Sequence, residues 1–209
     1  MGPERSRLRT ARIVAWTLVA SALVAVAAFG AWRWLGPKPS IPGWQETARN
    51  LIKADFTLVD QTGKRVSDED YRGKWLLIFF GYTHCPDVCP TTMNEISVVM
   101  DLLGDDAARV QPLMITIDPE RDTPEAMKEF VGAFDPRIVG LSGTPAEVDA
   151  AARAFRVYYA KVAQKDAPDG YLMNHSAYLY LVDDHGRFET VFAYEDNAET
   201  ITAGIRKYL

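Results

Sequence analysis

The sequence predicts an α/β domain, a mixed central sheet flanked by helices, standing behind a single N-terminal transmembrane helix. Two observations predict it. One is an uncharged apolar stretch of membrane-spanning length near the start. The other is the alternation, after it, of short apolar runs with segments whose apolar residues recur every three or four positions. A pair of cysteines at one strand-to-helix junction then marks where such sheets place their chemistry.

The apolar stretch "IVAWTLVASALVAVAAFGAWRWL" occupies 13–35 and carries no charge for 20 residues before Arg33. A helix needs about that many residues to cross a bilayer. Trp16, Trp32 and Trp34 lie near its two ends, where interfacial tryptophans belong. Arg5, Arg7, Arg9 and Arg12 precede it, so residues 1–12 are expected to be a basic tail kept in the cytoplasm. The folded part is then expected on the periplasmic side of the inner (cytoplasmic) membrane. A cleaved signal peptide, with Ala27 and Ala28 near its cleavage site, is the alternative. Its apolar core would normally be only about 7–15 residues long, which favours an uncleaved anchor. "GPKPSIPG" opens a Pro/Gly linker over 36–48, and the domain is expected over 49–209.

From Gly36 onward there are 27 acidic against 18 basic residues. Phosphate binding needs a positive surface, so nucleic acid is excluded as a partner. A basic protein partner, or attraction of cations, suits the acidic balance.

The elements follow in order. Phe56, Leu58 and Val66 flank a Gln61-Thr62-Gly63 turn, a short hairpin. Trp75 to Phe80 is a continuous apolar run, expected of a strand buried on both faces. After Pro90, Met93, Ile96, Met100 and Leu103 line one face of a helix. Leu113 to Ile117 is a second buried strand. Thr-Pro-Glu opens a helix from Pro124. Arg137 to Leu141 is a short strand, and Thr-Pro again opens a helix in "GTPAEVDAAARAF". Val157 to Val162 is extended, "SAYLYLVDDHGRFETVFAY" is a hairpin around Asp183-Asp184-His185-Gly186, and Ala198 to Leu209 closes as a helix. The arrangement is thioredoxin-like in outline.

Both cysteines of the chain, Cys85 and Cys89, fall in "GYTHCPDVCP". Each precedes a proline, which disfavours helix at the cysteine itself. Pro90 suits a first helical position, which puts Cys89 at a helix N-terminus, where the dipole favours thiolate. A domain of about 160 residues buries an adequate core without staples, and a disulfide across so short a loop adds little. A structural disulfide is therefore weakly motivated beside metal binding and thiol–disulfide exchange. Exchange enzymes of thioredoxin type carry Cys-x-x-Cys; the extra residue here leaves room for a cation.

Two sulfurs are an incomplete site, so a third ligand is needed. His84 adjoins Cys85 and should point away from it. His185 sits in a polar turn. His175, in "YLMNHSAYLYLVD", precedes a strand-like run that can bring it opposite the cysteines. Met173 is a weak thioether candidate that also suits the core. Exchange enzymes usually hold a proline just before the facing strand; here Met173, Asn174 and His175 stand there, and the nearest proline is Pro168. Two thiolates and one imidazole suit copper or zinc. With no third cysteine for a structural zinc site and no H-E-x-x-H, copper is the better choice.

"GYTHCPDVCPTTMNEI", "ITIDPERDTPE" and "YLMNHSAYLYLVD", in this order behind one anchor, resemble the Sco/SenC family from about Phe56 to the end. The resemblance implies a thioredoxin-like fold that binds Cu(I) or Cu(II) through Cys85, Cys89 and His175. It implies delivery of copper to the CuA centre of cytochrome c oxidase, or reduction of the CuA-site cysteines of that oxidase subunit. An upstream protein would supply the copper. Asp118 matches the acidic residue that family members keep near the metal; from its place after a strand it also suits capping the next turn. A chaperone of this kind is not an enzyme in the usual sense, and oxidation to a Cys85–Cys89 disulfide would expel the metal. Two rivals stand beside it: a thiol–disulfide oxidoreductase using Cys85 or Cys89 as nucleophile, and a peroxide-reducing enzyme needing one reactive cysteine.

Overall fold

The computed structural model describes residues 16–30 and 51–209, in two units divided between Pro42 and Gly43. In the first unit, residues 16–30 form a helix that exposes Trp16, Leu18, Leu23, Val24 and Val26. Among the described residues no helix is long and apolar enough to cross a membrane. At about 1.5 Å per residue, this helix rises roughly 22 Å against a hydrocarbon core of roughly 30 Å. The two ends of the expected span, the basic tail 1–12 and the linker 36–48 lie outside the described residues.

The described residues of the second unit form nine strands: β1 (Thr57–Asp60), β2 (Arg65–Ser67), β3 (Trp75–Gly81), β4 (Val110–Thr116), β5 (Val139–Ser142), β6 (Tyr159–Ala163), β7 (Tyr171–His175), β8 (Leu179–Val182) and β9 (Phe188–Phe192). The α-helices that flank the sheet are α1 (Val88–Leu103), α2 (Pro124–Val131), α3 (Pro145–Ala154) and α4 (Ala198–Arg206). Seven strands form one sheet in the order β2-β1-β5-β4-β3-β8-β9. β3, β4 and β5 run parallel and the other pairings are antiparallel, so the sheet is mixed, as expected. β6 and β7 pair only with each other.

Every residue of β3 is buried, which is why it reads as an unbroken apolar run rather than an alternating one. It lies between β4 and β8, and Phe79 and Phe80 have no exposed surface. The two Thr-Pro signals do start helices. Thr123 Oγ1 accepts the Ala126 N–H at 3.3 Å. At Thr144 the box is reciprocal: Thr144 Oγ1 accepts from Glu147 N–H and Glu147 Oε2 accepts from Thr144 N–H.

Several boundaries differ from the sequence reading. β4 begins at Val110 rather than Leu113; Pro112 is tolerated because β5 joins only from Leu113 onward. β5 begins at Val139, since Arg137 is taken up by Asp135 and Asp101. And the residues around His175, expected as a loop before a strand, are themselves a strand, β7, folded back on β6.

Candidate metal centre

β3 ends at Gly81, where the packing requires glycine. A Cβ there would lie 3.0 Å from Cys89 Sγ and 2.5 Å from Phe79 Cε1. The chain then turns, Cys85 N–H reaching the Tyr82 carbonyl at 3.4 Å. α1 starts at Val88, two residues before the expected start, so Cys89 lies inside its first turn and is buried, while Cys85 is half-buried in the turn before it. First-turn N–H groups lack intrahelical partners, so Pro90, which has no N–H, is accommodated there. The N–H of Cys89 uses its freedom to donate to Cys85 Sγ at 3.4 Å.

That arrangement corrects the expectation that Cys89 carries the thiolate. The Cys89 thiol donates to the Cys85 sulfur, which, against the opposing effect of burial, pulls Cys85 down to about 3. The same shared proton, with burial, pushes Cys89 up. The helix N-terminus acts on the neighbouring sulfur rather than on the one it carries. Burial, with the charge on Cys85, raises the Tyr82 phenol to about 12. The two cysteines are not joined in a disulfide.

His175 closes β7 with its Nε2 3.9 Å from Cys89 Sγ. Its Nδ1 lies 3.1 Å from the Ser176 carbonyl oxygen. A carbonyl only accepts, so Nδ1 carries the hydrogen and the Nε2 lone pair faces the sulfurs, the orientation a metal ligand needs. Tyr82 and Phe79 meet the imidazole edge-on, with centroids 6.1 and 6.0 Å away. Cys85, His175, Tyr82, Asp87 and Met173 line a cavity of about 230 Å³.

Asp118 is buried, but its carboxylate is committed elsewhere. It accepts from Tyr171 Oη at 3.1 Å and from Arg121 Nε at 2.6 Å. The Arg121 guanidinium lies 3.8 Å from the Tyr171 ring centre. Tyr171 opens β7 and His175 ends it, so Asp118 anchors the strand that carries the imidazole. It does not cap the following turn through its side chain.

Asp122 is the residue the sequence reading missed. It has no exposed surface, and it accepts from Thr83 Oγ1 at 2.6 Å, Thr83 N at 3.1 Å and Thr116 Oγ1 at 2.6 Å. Burial raises its pKa against those hydrogen bonds. It ties the turn before Cys85 to the end of β4. The signal was the second aspartate of "DPERD", overshadowed by its place beside a helix start.

The remaining candidates fall where their side-chain chemistry places them. His84 turns from the sulfurs towards Thr83 Oγ1 at 2.9 Å and Asp122 Oδ1 at 3.7 Å. His185 is exposed in the β8–β9 turn. Met173 is buried in the core beneath the site.

Among the described residues no three His, Cys, Asp or Glu side chains are already gathered as a finished metal site. The pairwise spacing nevertheless fits a shared ion. With metal–sulfur and metal–nitrogen bonds of about 2.3 and 2.0 Å, as at zinc, trigonal coordination separates the two ligand atoms by about 3.7 Å. Two soft sulfurs and one borderline imidazole are the donor set copper accepts.

The SCO1/SenC family matches residues 45–209. The chain is 42% identical over 161 residues to the human mitochondrial SCO1 homologue, covering 76% of this chain but only 53% of that protein. Among solved structures it resembles Bradyrhizobium japonicum ScoI with copper bound, at 48% identity, TM-score 0.69, and 76% and 99% of the two chains. BsSco, described with a disulfide switch as a member of the Sco family of cytochrome c oxidase assembly proteins, matches at 25% identity, TM-score 0.58, and 73% and 90% of the two chains.

Proposed function

The chain belongs to the SCO1/SenC family, and from that premise we propose that it is a membrane-anchored copper chaperone whose ligands are Cys85, Cys89 and His175. The observation that carries the reading is the approach of His175 Nε2 to Cys89 Sγ from a separate hairpin, with Nδ1 already tied down. A purely structural histidine has no need of a free lone pair aimed at a buried sulfur. Copper bound in the Bradyrhizobium relative supports the choice of metal.

Copper is cargo in this reading. The Cys85 thiolate and the Nε2 lone pair are ready donors, and Cys89 gives up its shared proton on binding. Release proceeds by exchange, an incoming thiolate of the acceptor replacing one ligand at a time. Oxidation of Cys85 and Cys89 to a disulfide would remove two donors at once and expel the ion. The acceptor we propose is the cytochrome c oxidase subunit bearing the CuA site, with an upstream protein supplying the copper; the description of BsSco as a cytochrome c oxidase assembly protein supports a partner in that oxidase and no more. The span 13–35 is proposed as the anchor, in the inner (cytoplasmic) membrane with residues 49–209 on the periplasmic side. The exposed Trp16, Leu18, Leu23 and Val24 form the surface a bilayer solvates.

The test is a Cu(I) titration of the fully reduced protein against a competing chelator. One equivalent should bind, and Cys85→Ser or Cys89→Ser should abolish binding, with His175→Ala weakening it. A reduced protein that takes up no copper would end the proposal. The lowered pKa of Cys85 favours a second reading, reduction of the acceptor's cysteines. His175→Ala separates the two: a chaperone loses acceptor metallation, whereas a reductase retains its dithiol exchange and its biological effect.

A further inference from the structure

Three cavities of about 230, 380 and 220 Å³ adjoin one another beside the sulfurs. The first two share Val88, His175 and Ala177; the last two share Ala177, Tyr194 and Glu195. Together they form a groove from Cys85 across residues 174–178 to the loop 193–197, with the start of α1 as one wall. Its lining includes Asp87, Glu95, Glu195 and Asp196 but no lysine or arginine. Several carboxylates elsewhere in the domain are paired with cations: Asp68 with Arg72, Asp118 with Arg121, Glu120 with Lys161, Glu147 with Arg65, Asp183 with Arg187. Among the described residues none of the four groove acids has such a partner. Tyr178 and Tyr194 stand 45% and 44% exposed along the same groove.

We propose that this groove is the docking surface for a lysine- or arginine-rich segment of the protein that receives the copper. The proposal rests on the chaperone reading above and adds the partner's chemistry. An acceptor of soft copper brings thiolates of its own, and these approach a thiolate site rimmed by unpaired carboxylates. Like charges oppose that encounter. Cations flanking the acceptor's thiols reverse the sign of the interaction and steer the approach. The two tyrosine faces suit arginine or lysine stems. A second copy of this acidic chain would meet the same repulsion.

Two synthetic peptides test it, each with two cysteines, one flanked by lysines and the other by glutamates. Copper transfer from the Cu(I)-loaded full chain is followed by stopped flow at about 20 and about 200 mM salt. The lysine peptide should accept copper at least about tenfold faster at low salt, with the advantage shrinking at high salt. The double variant Glu95→Gln/Glu195→Gln should cut that preference to within about twofold while leaving copper affinity unchanged. Equal rates for the two peptides, or a preference that survives in the double variant, would overturn the proposal.

A second measurement does not depend on copper. A lysine peptide with serines in place of its cysteines, added to metal-free protein, should shift the NMR signals of Ala177, Tyr178 and Tyr194. Shifts confined to the other acidic cleft, around Asp55, Glu69 and Glu147, would refute the groove. So would the same shifts arising without peptide as the protein concentration rises. If the copper reading fails, no loaded protein can be prepared at all, and this arm alone decides the groove.

Discussion

The cysteines and the histidine are held by different kinds of structure. The sulfurs are rooted at the end of β3, which is paired on both sides and buried along its whole length. The imidazole sits on a two-stranded hairpin that pairs with no strand of the large sheet. Side chains fasten that hairpin to the domain: Tyr171 to Asp118, Arg121 over Tyr171, Lys161 to Glu120, and Tyr159 Oη to Asp149 at 3.2 Å. A two-stranded sheet alone is marginal in water, so these contacts set how firmly His175 is presented. The thiol pair is thus a preformed half-site, and the third ligand arrives on a tether. A carrier that must both hold and surrender its cargo benefits from one ligand that can be withdrawn.

Hydrogen exchange tests this contrast most severely. In metal-free protein the amides of Leu77 to Phe80 should exchange only through global unfolding, whereas those of β7 should exchange by local opening. We expect rates to differ by about a thousandfold or more, equivalent to roughly 4 kcal/mol, and copper to protect β7 preferentially. Equal protection of the two regions would show the hairpin to be as rigid as the sheet.

The second prediction concerns the preformed half. Alkylation follows the thiolate fraction, and an ordinary thiol with a pKa of about 8.5 would slow nearly a thousandfold between about pH 8 and about pH 5. Cys85, lowered to about 3, stays thiolate across that window and loses its charge only as the pH falls through the lowered value. Its modification by iodoacetamide should therefore change little, while buried Cys89 stays unreactive. In Cys89→Ala the main donor to Cys85 is gone, and the steep ordinary pH dependence should return. A steep dependence in the unaltered protein would remove the shared proton from the account.

How much of this was legible in the sequence depends on what each feature rests on. β3 was readable because burial on both faces leaves an uninterrupted apolar run, and α2 and α3 because Thr-Pro starts are local chemistry. Cys85, Cys89 and His175 were singled out as the soft donors in the right order. β7 was not readable: Tyr171 to His175 mixes buried and exposed residues and owes its strand form to pairing with β6. The roles of Asp118 and Asp122 were equally hidden. A carboxylate's partner is chosen in three dimensions, and Tyr171 lies 53 residues from Asp118, as Thr83 lies 39 from Asp122. The charge on Cys85 rather than Cys89 depends on which sulfur keeps the shared proton, and spacing alone does not encode that.

Loosening the tether should cost less than losing a ligand. Tyr171→Phe removes one bond between β7 and the body of the domain while leaving every proposed ligand and the buried Asp118–Arg121 pair in place. Residues that orient a ligand typically contribute about 10–100-fold in metal affinity, and we expect Cu(I) affinity to fall within that range with global stability nearly unchanged. Faster β7 exchange in the same variant would tie the loss to the hairpin. Unchanged affinity would place the anchoring of His175 elsewhere.

The smallest effect is expected at Lys161, whose ammonium lies 2.8 Å from Glu120 and 4.2 Å from the Tyr171 ring centre. Both charged groups are exposed, and water screens such pairs heavily. Lys161→Gln should therefore shift copper affinity by no more than about threefold, and that shift should vanish as salt is raised. Arg121 is the informative contrast. Its guanidinium side chain is only 9% exposed against the same tyrosine and a buried carboxylate, so Arg121→Gln should weaken copper binding more and without salt dependence. If the two substitutions behaved alike, the hairpin would be held by its own strand pairing and not by the Asp118–Arg121–Tyr171 cluster.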